Sequence, residues 1–278
     1  MPNSGKSMSS DSSLQAWRKL GWKNSFWELL RYYCSLRGTD QKNFLKELSS
    51  DSKESSKWWD TLGLNDEATK LIVKYCTERE KLLHAALEDL RSEEQAKAFC
   101  KKNSISWETT KTKSKDHHQS SKTLIATTTA IAEKVCKKFS ETLESNPQRR
   151  CVWFINNHLH VTARNLDGAI PSLKDPYIIW EIKEYWGKTS GGSKMSDAVY
   201  ECHLVGREIR EYEEKTGHKI AHIVFIDGKD QWLSRKSDLA RFIDLRNQGL
   251  IDYLFIGRTI ETEWSSVLTS LIRTRKDN

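Results

Sequence analysis

Apolar positions fall into two regimes along the chain. Between residue 12 and about residue 103 they recur at helical spacing, as in Trp27, Leu29, Leu30, Tyr33 and Cys34, and again in Leu71, Ile72, Tyr75 and Cys76. Clusters such as Ser49-Ser50-Asp51-Ser52 and Ser55-Ser56 supply the breaks and N-caps between short helices. Trp17, Trp22, Trp27, Trp58 and Trp59 crowd this half, and their expected role is to pack a small helical core. From Ser121 the pattern changes. Residues 123–146 read as an amphipathic helix carrying Leu124, Ile131, Val135 and Phe139. Cys151–Ile155 reads as a strand, Asn156-Asn157 as a turn and His158–Ala163 as the returning strand. Tyr177–Lys183 is a further strand. Ser196 to about Thr216 is a long helix closed by Gly217. Ile220–Ile226 has the dense apolar composition of a buried parallel strand. Residues 232–248 are helical, Ile251–Ile256 is a strand, and 260–273 is a closing helix.

That order is helix, three-strand meander, helix, strand, helix, strand, helix. A strand–helix–strand step requires a right-handed crossover, so the second half is α/β with a mixed β-sheet flanked by helices. The expected division is an irregular, disordered start at 1–15, a helical all-α N-terminal region with a basic linker at 16–120, and an α/β region at 121–278. The linker lies in residues 101–122, where Lys101, Lys102, Lys111, Lys113, Lys115 and Lys122 face only Glu108 and Asp116. It reads as a solvated loop or as a set of phosphate contacts.

Composition narrows the classes. Lys and Arg number 45 against 38 Asp and Glu, a formal charge of +7, and the pI is near 9.0. This mild surplus suits a polyanionic partner or a plain basic protein equally. The mean hydropathy is −0.68, and no run approaches the roughly 18 apolar residues of a membrane span. With 37% hydrophobic and 10% aromatic residues, the chain can offset its ordering entropy. The six cysteines are scattered without a CxxC or zinc spacing and read mostly as buried thiols. The start of the sequence lacks a signal-peptide core, so a cytoplasmic protein is expected. Gly5-Lys6-Ser7 has no glycine at the distance a phosphate-binding loop needs, so no nucleotide cofactor is expected.

The residues that carry chemistry are Asp167-Gly168 and the strand Trp180-Glu181-Ile182-Lys183-Glu184. Alternation along a strand sends Glu181 and Lys183 to one face, with Trp180, Ile182 and Glu184 on the other. Two charged groups on one face of a buried strand are costly unless paired or bound to metal. Asp167 lies fourteen residues before Glu181, the right distance for the preceding strand of a meander turning near Ser172–Pro176. Two carboxylates offer hard oxygens to Mg²⁺, and a neighbouring ammonium stabilises charge building on a phosphate or an attacking water. Asp175 is the rival first carboxylate, but Asp175-Pro176 reads better as a turn. Glu133, Glu141 and Glu144 could supply a further acid from the helix at 123–146, with Glu141 preferred.

The D-x(13)-E-x-K pattern, after one helix and before a helix and a parallel strand, resembles the PD-(D/E)xK nuclease superfamily, and within it a type II restriction endonuclease. The resemblance spans residues 121–258 in topology and rests on three motif residues, with Leu166 where the family often has proline. It implies a restriction-endonuclease-like αβββαβ core. It implies Asp167 and Glu181 as metal ligands, Lys183 as the catalytic lysine and Mg²⁺ as cofactor. It also implies double-stranded DNA as substrate, 5′-phosphate and 3′-hydroxyl ends, a homodimer and a prokaryotic cytosol. A repair or junction-resolving nuclease of the same fold, or a DNA-binding protein without catalysis, stays open. The loop after the motif strand offers Lys188, Thr189, Ser190 and Lys194 to DNA, and Lys229 and Gln231 follow the next strand. Asp116-His117-His118 lacks the partners of a His-metal nuclease, and His158 and His160 read as hairpin surface.

Overall fold

A computed structural model describes residues 12–110, 120–187 and 192–276. Five helices, α1 (Ser12–Arg18), α2 (Phe26–Ser35), α3 (Gly38–Leu48), α4 (Lys57–Thr61) and α5 (Asp66–Asp89), gather around Trp17, Phe26, Trp27, Phe44, Trp58, Ile72 and Tyr75. The rings meet mainly edge to face, as Trp17 and Tyr75 do at 4.9 Å between centroids, the arrangement their quadrupoles favour. Ser56 caps α4 and Asn65 caps α5, so the serine- and asparagine-bearing breaks in the sequence act as helix starts. Helix α1 begins inside the segment expected to be irregular, while residues 1–11 lie outside the described ones. The second half of α5 leaves this core, and its Ala86, with Leu90 beyond its end, joins the core of the α/β region. Helix α6 (Glu93–Lys102) follows with a complete capping box at Ser92 and Gln95. The middle of the basic linker, including Asp116, His117 and His118, lies outside the described residues.

The α/β region begins with α7 (Thr123–Phe139), β1 (Glu144–Arg149), β2 (Val152–Ile155), β3 (His158–Val161), β4 (Leu166–Ile170) and β5 (Ile178–Glu184). Then come α8 (Gly192–Thr216), β6 (Ala221–Asp227), α9 (Lys229–Ser234), α10 (Lys236–Gln248), β7 (Tyr253–Ile256) and α11 (Arg258–Lys276). The five-stranded sheet has the order β1-β4-β5-β6-β7. β1, β4 and β5 pair antiparallel, and β5, β6 and β7 pair parallel. Helices α7 and α11 cover one face through Leu124, Val135, Trp264 and Leu268. Helices α8 and α10 cover the other through Val199, Cys202, Phe242 and Ile243. The sheet is therefore mixed, flanked by helices and preceded by a helical region.

Four expectations about this region need correction. The helix expected over 123–146 stops at Phe139, because Ser140 takes a left-handed C-cap conformation. Residues 144–149 form the edge strand β1, where Pro147 is tolerated as it would not be inside a helix. The first strand of the meander is therefore β1. The hairpin expected at 151–163 forms a separate two-stranded sheet, β2-β3. Its Cys151 and Trp153 pack with Ala169, Ile179, Val205 and Tyr212, on the α8 side of the main sheet. His160 stacks against both Trp153 and Tyr212, which also touch each other, rather than lying on the open surface. The helix expected over 232–248 is broken at Arg235 into α9 and α10. Of the six cysteines, five are buried and Cys34 is exposed.

Candidate functional site

Strand β5 sorts its side chains as alternation demands. Trp180 and Ile182 pack toward α7 and α11. Glu181 and Lys183 project to the α8 face, where they are 2% and 8% exposed. On β4, Gly168 pairs with Trp180, and continuing that antiparallel register sets Asp167 opposite Glu181. Gly168 is required by packing, since a Cβ there would lie 1.8 Å from the Trp180 indole. The close neighbour at this glycine is a side chain of the protein itself, not a ligand.

Asp167 Oδ2 accepts the Ile182 backbone N–H at 2.7 Å, and the Gln148 amide of β1 donates to Oδ1. Burial raises the Asp167 carboxyl above the ordinary carboxylate range, against the pull of the Ile182 N–H and of Lys183. The Lys183 ammonium lies 3.0 Å from Glu181 Oε2 and 3.2 Å from Glu201 Oε2 on α8. Arg164, just before β4, pairs with the other Glu201 oxygen. His222 on β6, fully buried, sets Nε2 3.1 Å from Glu181 Oε1. Burial opposes the Glu181 charge, but Lys183 and His222 outweigh it and hold its carboxyl down at about 2. Burial likewise opposes the Lys183 charge, and Glu181 overcomes it and holds the ammonium well above its usual range. The result is a line of alternating charges, Arg164, Glu201, Lys183 and Glu181, closed at its inner end by His222.

Asp167, Glu181 and Lys183 thus meet on two neighbouring strands. The other candidates do not join them. Glu141 sits beyond the end of α7, beside the Tyr177 hydroxyl and Cys136, at the opposite end of β5. Gln231 is buried and donates its amide to the Gly187 carbonyl, so it braces the loop after β5 instead of reaching outward. Lys229 is half-buried at the start of α9, with its backbone N–H on the Arg91 carbonyl. Lys194 is exposed in the first turn of α8. Lys188, Thr189 and Ser190 lie outside the described residues. Glu184 turns to the opposite face and accepts from the Leu124 N–H at 2.7 Å, from Thr123 and from Trp186, which makes it the N-terminal anchor of α7.

Glu201, Arg164, Gln148 and His222 were not anticipated. His222 had a signal, as the one polar residue inside the apolar run Ile220–Ile226. Glu201 borders the buried stripe Ala198, Cys202 and Val205 of α8.

Among the described residues, no three His, Cys, Asp or Glu side chains cluster closely enough to hold a metal on their own. Mg²⁺ asks for less, since it commonly takes one or two carboxylates and completes its shell with water and substrate oxygens. Asp167 and Glu181 provide that donor set, and each oxygen that already accepts one hydrogen bond keeps a second lone pair. The residues present therefore fit such an ion in kind.

The fold is that of an α/β protein with a mixed sheet, on which a buried ion-pair cluster of Glu181, Lys183 and Glu201 lies beside Asp167. Residues 85–271 match the family described as Domain of unknown function (DUF7687), and the chain belongs to that family. No curated protein and no solved structure matches the chain. No helix among the described residues is long and apolar enough to cross a membrane.

Proposed function

We propose that this protein is a Mg²⁺-dependent endonuclease of the PD-(D/E)xK type, acting on double-stranded DNA at a specific sequence as restriction enzymes do, and working as a homodimer. The observation that carries the reading is the meeting of Asp167, Glu181 and Lys183 across adjacent strands β4 and β5. The surrounding order of α7, β1, β4, β5, α8 and β6 is the order expected of a restriction-endonuclease-like core, and it supports the same reading.

Asp167 and Glu181 would hold the ion, which when bound supplies Lewis-acid polarisation of the phosphate and an acidified water. The chain's own groups do the rest. Lys183 carries a fixed positive charge that can donate hydrogen bonds to the attacking water or to a non-bridging phosphate oxygen, offsetting the charge that builds there. Glu201 aims that ammonium from the side of α8. The Ile182 N–H orients Asp167 so that its carboxylate keeps one direction. The near-complete burial of Glu181 and Lys183 keeps bulk water from screening these interactions.

A competing reading draws on the same distances. Both Glu181 oxygens are engaged, by Lys183 and His222, as they would be in a purely structural ion-pair network. Digestion of plasmid DNA separates the two. With Mg²⁺, a site-specific nuclease gives discrete fragments with 5′-phosphate ends. A smear favours a repair or structure-selective nuclease of this fold. Intact plasmid with retained DNA binding rejects catalysis.

A further inference from the structure

We propose that His222 is the positioning residue for Glu181, and that the brace holding His222 begins at Gly206 in the middle of α8. The inference rests on the nuclease reading for its consequence, but not for its geometry. His222 Nδ1 lies 2.9 Å from the Leu250 carbonyl oxygen. A carbonyl oxygen and a carboxylate oxygen only accept, so both ring nitrogens donate here, Nδ1 to Leu250 and Nε2 to Glu181 Oε1. The terminal torsion of a glutamate is otherwise broad and roughly two-fold. With Oε1 pinned at the inner end, Oε2 is the oxygen presented to Lys183 and to the face shared with Asp167.

The Leu250 carbonyl is itself held from both sides. Leu250 follows the left-handed C-cap Gly249, and its N–H returns to the Leu245 carbonyl. Across from it stands Gly206, where a Cβ would lie 2.6 Å from the Leu250 oxygen and 2.9 Å from the Leu250 Cβ. A glycine inside a long helix is unfavourable by about 1 kcal/mol relative to alanine. Here the close approach of Leu250 explains it. The backbone of His222 is fixed as well, since its N–H donates to Asp252 at 2.8 Å, and Asp252 is also bound by Arg210. The line of contacts runs from Gly206 to Leu250, to His222, to Glu181. It gives the loop before β7 control over a carboxylate it does not touch, and α8, which reaches Glu181 directly through the Cys202 thiol, acts on it by this second route as well.

The test uses the full chain with His222→Leu, His222→Gln and Gly206→Ala, each checked for folding by circular dichroism. Outer partners of metal-binding carboxylates are typically worth about 10–100-fold in metal affinity or activity. His222→Leu should therefore lower kcat, or raise the Mg²⁺ concentration for half-maximal cleavage, by about 10–100-fold, with DNA affinity in Ca²⁺ unchanged within about twofold. His222→Gln, whose amide N–H still reaches Glu181, should recover most of the loss. Gly206→Ala, remote from substrate and metal, should fall between them. Wild-type kcat and Mg²⁺ dependence in His222→Leu and Gly206→Ala, or a glutamine variant no better than leucine, would overturn the proposal. If the wild-type protein cuts no DNA, the nuclease reading fails and the brace is judged by crystallography of metal-free His222→Leu. Glu181 turned away from its wild-type direction supports the brace, and an unchanged Glu181 overturns it.

Discussion

The helical N-terminal region and the α/β region bury different chemistry. From α1 to α5 the buried side chains are aromatic and aliphatic, with only Ser56 and Thr69 as polar exceptions among the described residues. The α/β region buries Glu181, Lys183, Glu213, His222, Asp227, Asp238 and Arg246. Apolar burial stabilises almost anywhere it fits, whereas buried charge stabilises only when each group is matched. Every buried charge of the α/β region therefore calls for a partner. Besides Asp238, which pairs with Arg235 and Arg241 at the start of α10, three sets stand out. Arg91 and Asp227, 2.6 Å apart, tie the start of α6 to the end of β6. Arg210, Glu213 and Asp252 tie α8 to the loop before β7. The set around Glu181 and Lys183 brings a strand carboxylate and the helix carboxylate Glu201 against one ammonium, with Asp167 on the neighbouring strand. The helical region docks on this frame through charge at its rim, with Arg79 clamping Asp244 at 2.7 Å through two nitrogens and Arg18 capping the Ile251 and Asp252 carbonyls.

Substitutions that separate folding from chemistry test this contrast. The largest effect is expected from Phe44→Ala set beside Lys183→Met. Phe44→Ala empties the helical core and should cost about 3–5 kcal/mol, while cleavage per folded molecule stays at the wild-type rate. Lys183→Met should lower kcat by about 10²–10³-fold in a protein that still folds. Urea titration and initial rates on the same preparations read both, and a reversed pattern would erase the distinction between the regions. Asp227→Ala takes from Arg91 its fully buried partner and leaves it only the more exposed Glu261, and should cost up to about 3–5 kcal/mol. A loss below 1 kcal/mol would place this pair with weak surface bridges.

A subtler difference lies in pH. Burial pushes the Glu184 carboxyl up to about 7 from an ordinary 4.5, despite its three donors. The folded protein then holds a proton across that window which the unfolded chain has released. This contribution to stability therefore falls as pH rises from about 4.5 to about 7. Glu184→Gln removes the slope, so its stability relative to wild type should climb with pH over that range. Parallel curves in denaturant titrations across pH would refute the assignment. The smallest effect belongs to the helical half, where Asn65→Ala, removing the α5 N-cap, should cost about 1 kcal/mol and leave DNA cleavage unchanged.

How much of this was legible in the sequence follows the same division of forces. The parallel strands β5, β6 and β7 were readable because two-sided burial makes strands densely apolar, and Gly217 marks the end of α8 with a backbone requirement, whereas the break at Arg235 between α9 and α10 left no such mark. β1 was not readable. Its sequence, Glu-Ser-Asn-Pro-Gln-Arg, has little strand character, and only pairing with β4 makes it a strand. The pairing of Asp167 with the Glu181 strand could be read from spacing, since a short turn leaves little freedom. Glu201 could not be tied to Lys183, nor His222 to Glu181, because these contacts depend on how α8 and β6 are laid on β5, which local pattern does not encode.

The central claim is that Asp167, Glu181 and Lys183 act on one phosphate, and the most direct measurement is a single-turnover cleavage assay on plasmid DNA with Mg²⁺, comparing wild type with Asp167→Asn, Glu181→Gln and Lys183→Met at matched DNA occupancy. The account predicts cutting by wild type and a loss of at least about 10²-fold in each variant, with binding kept. Intact DNA with the wild-type protein, or undiminished cutting by the variants, would contradict it.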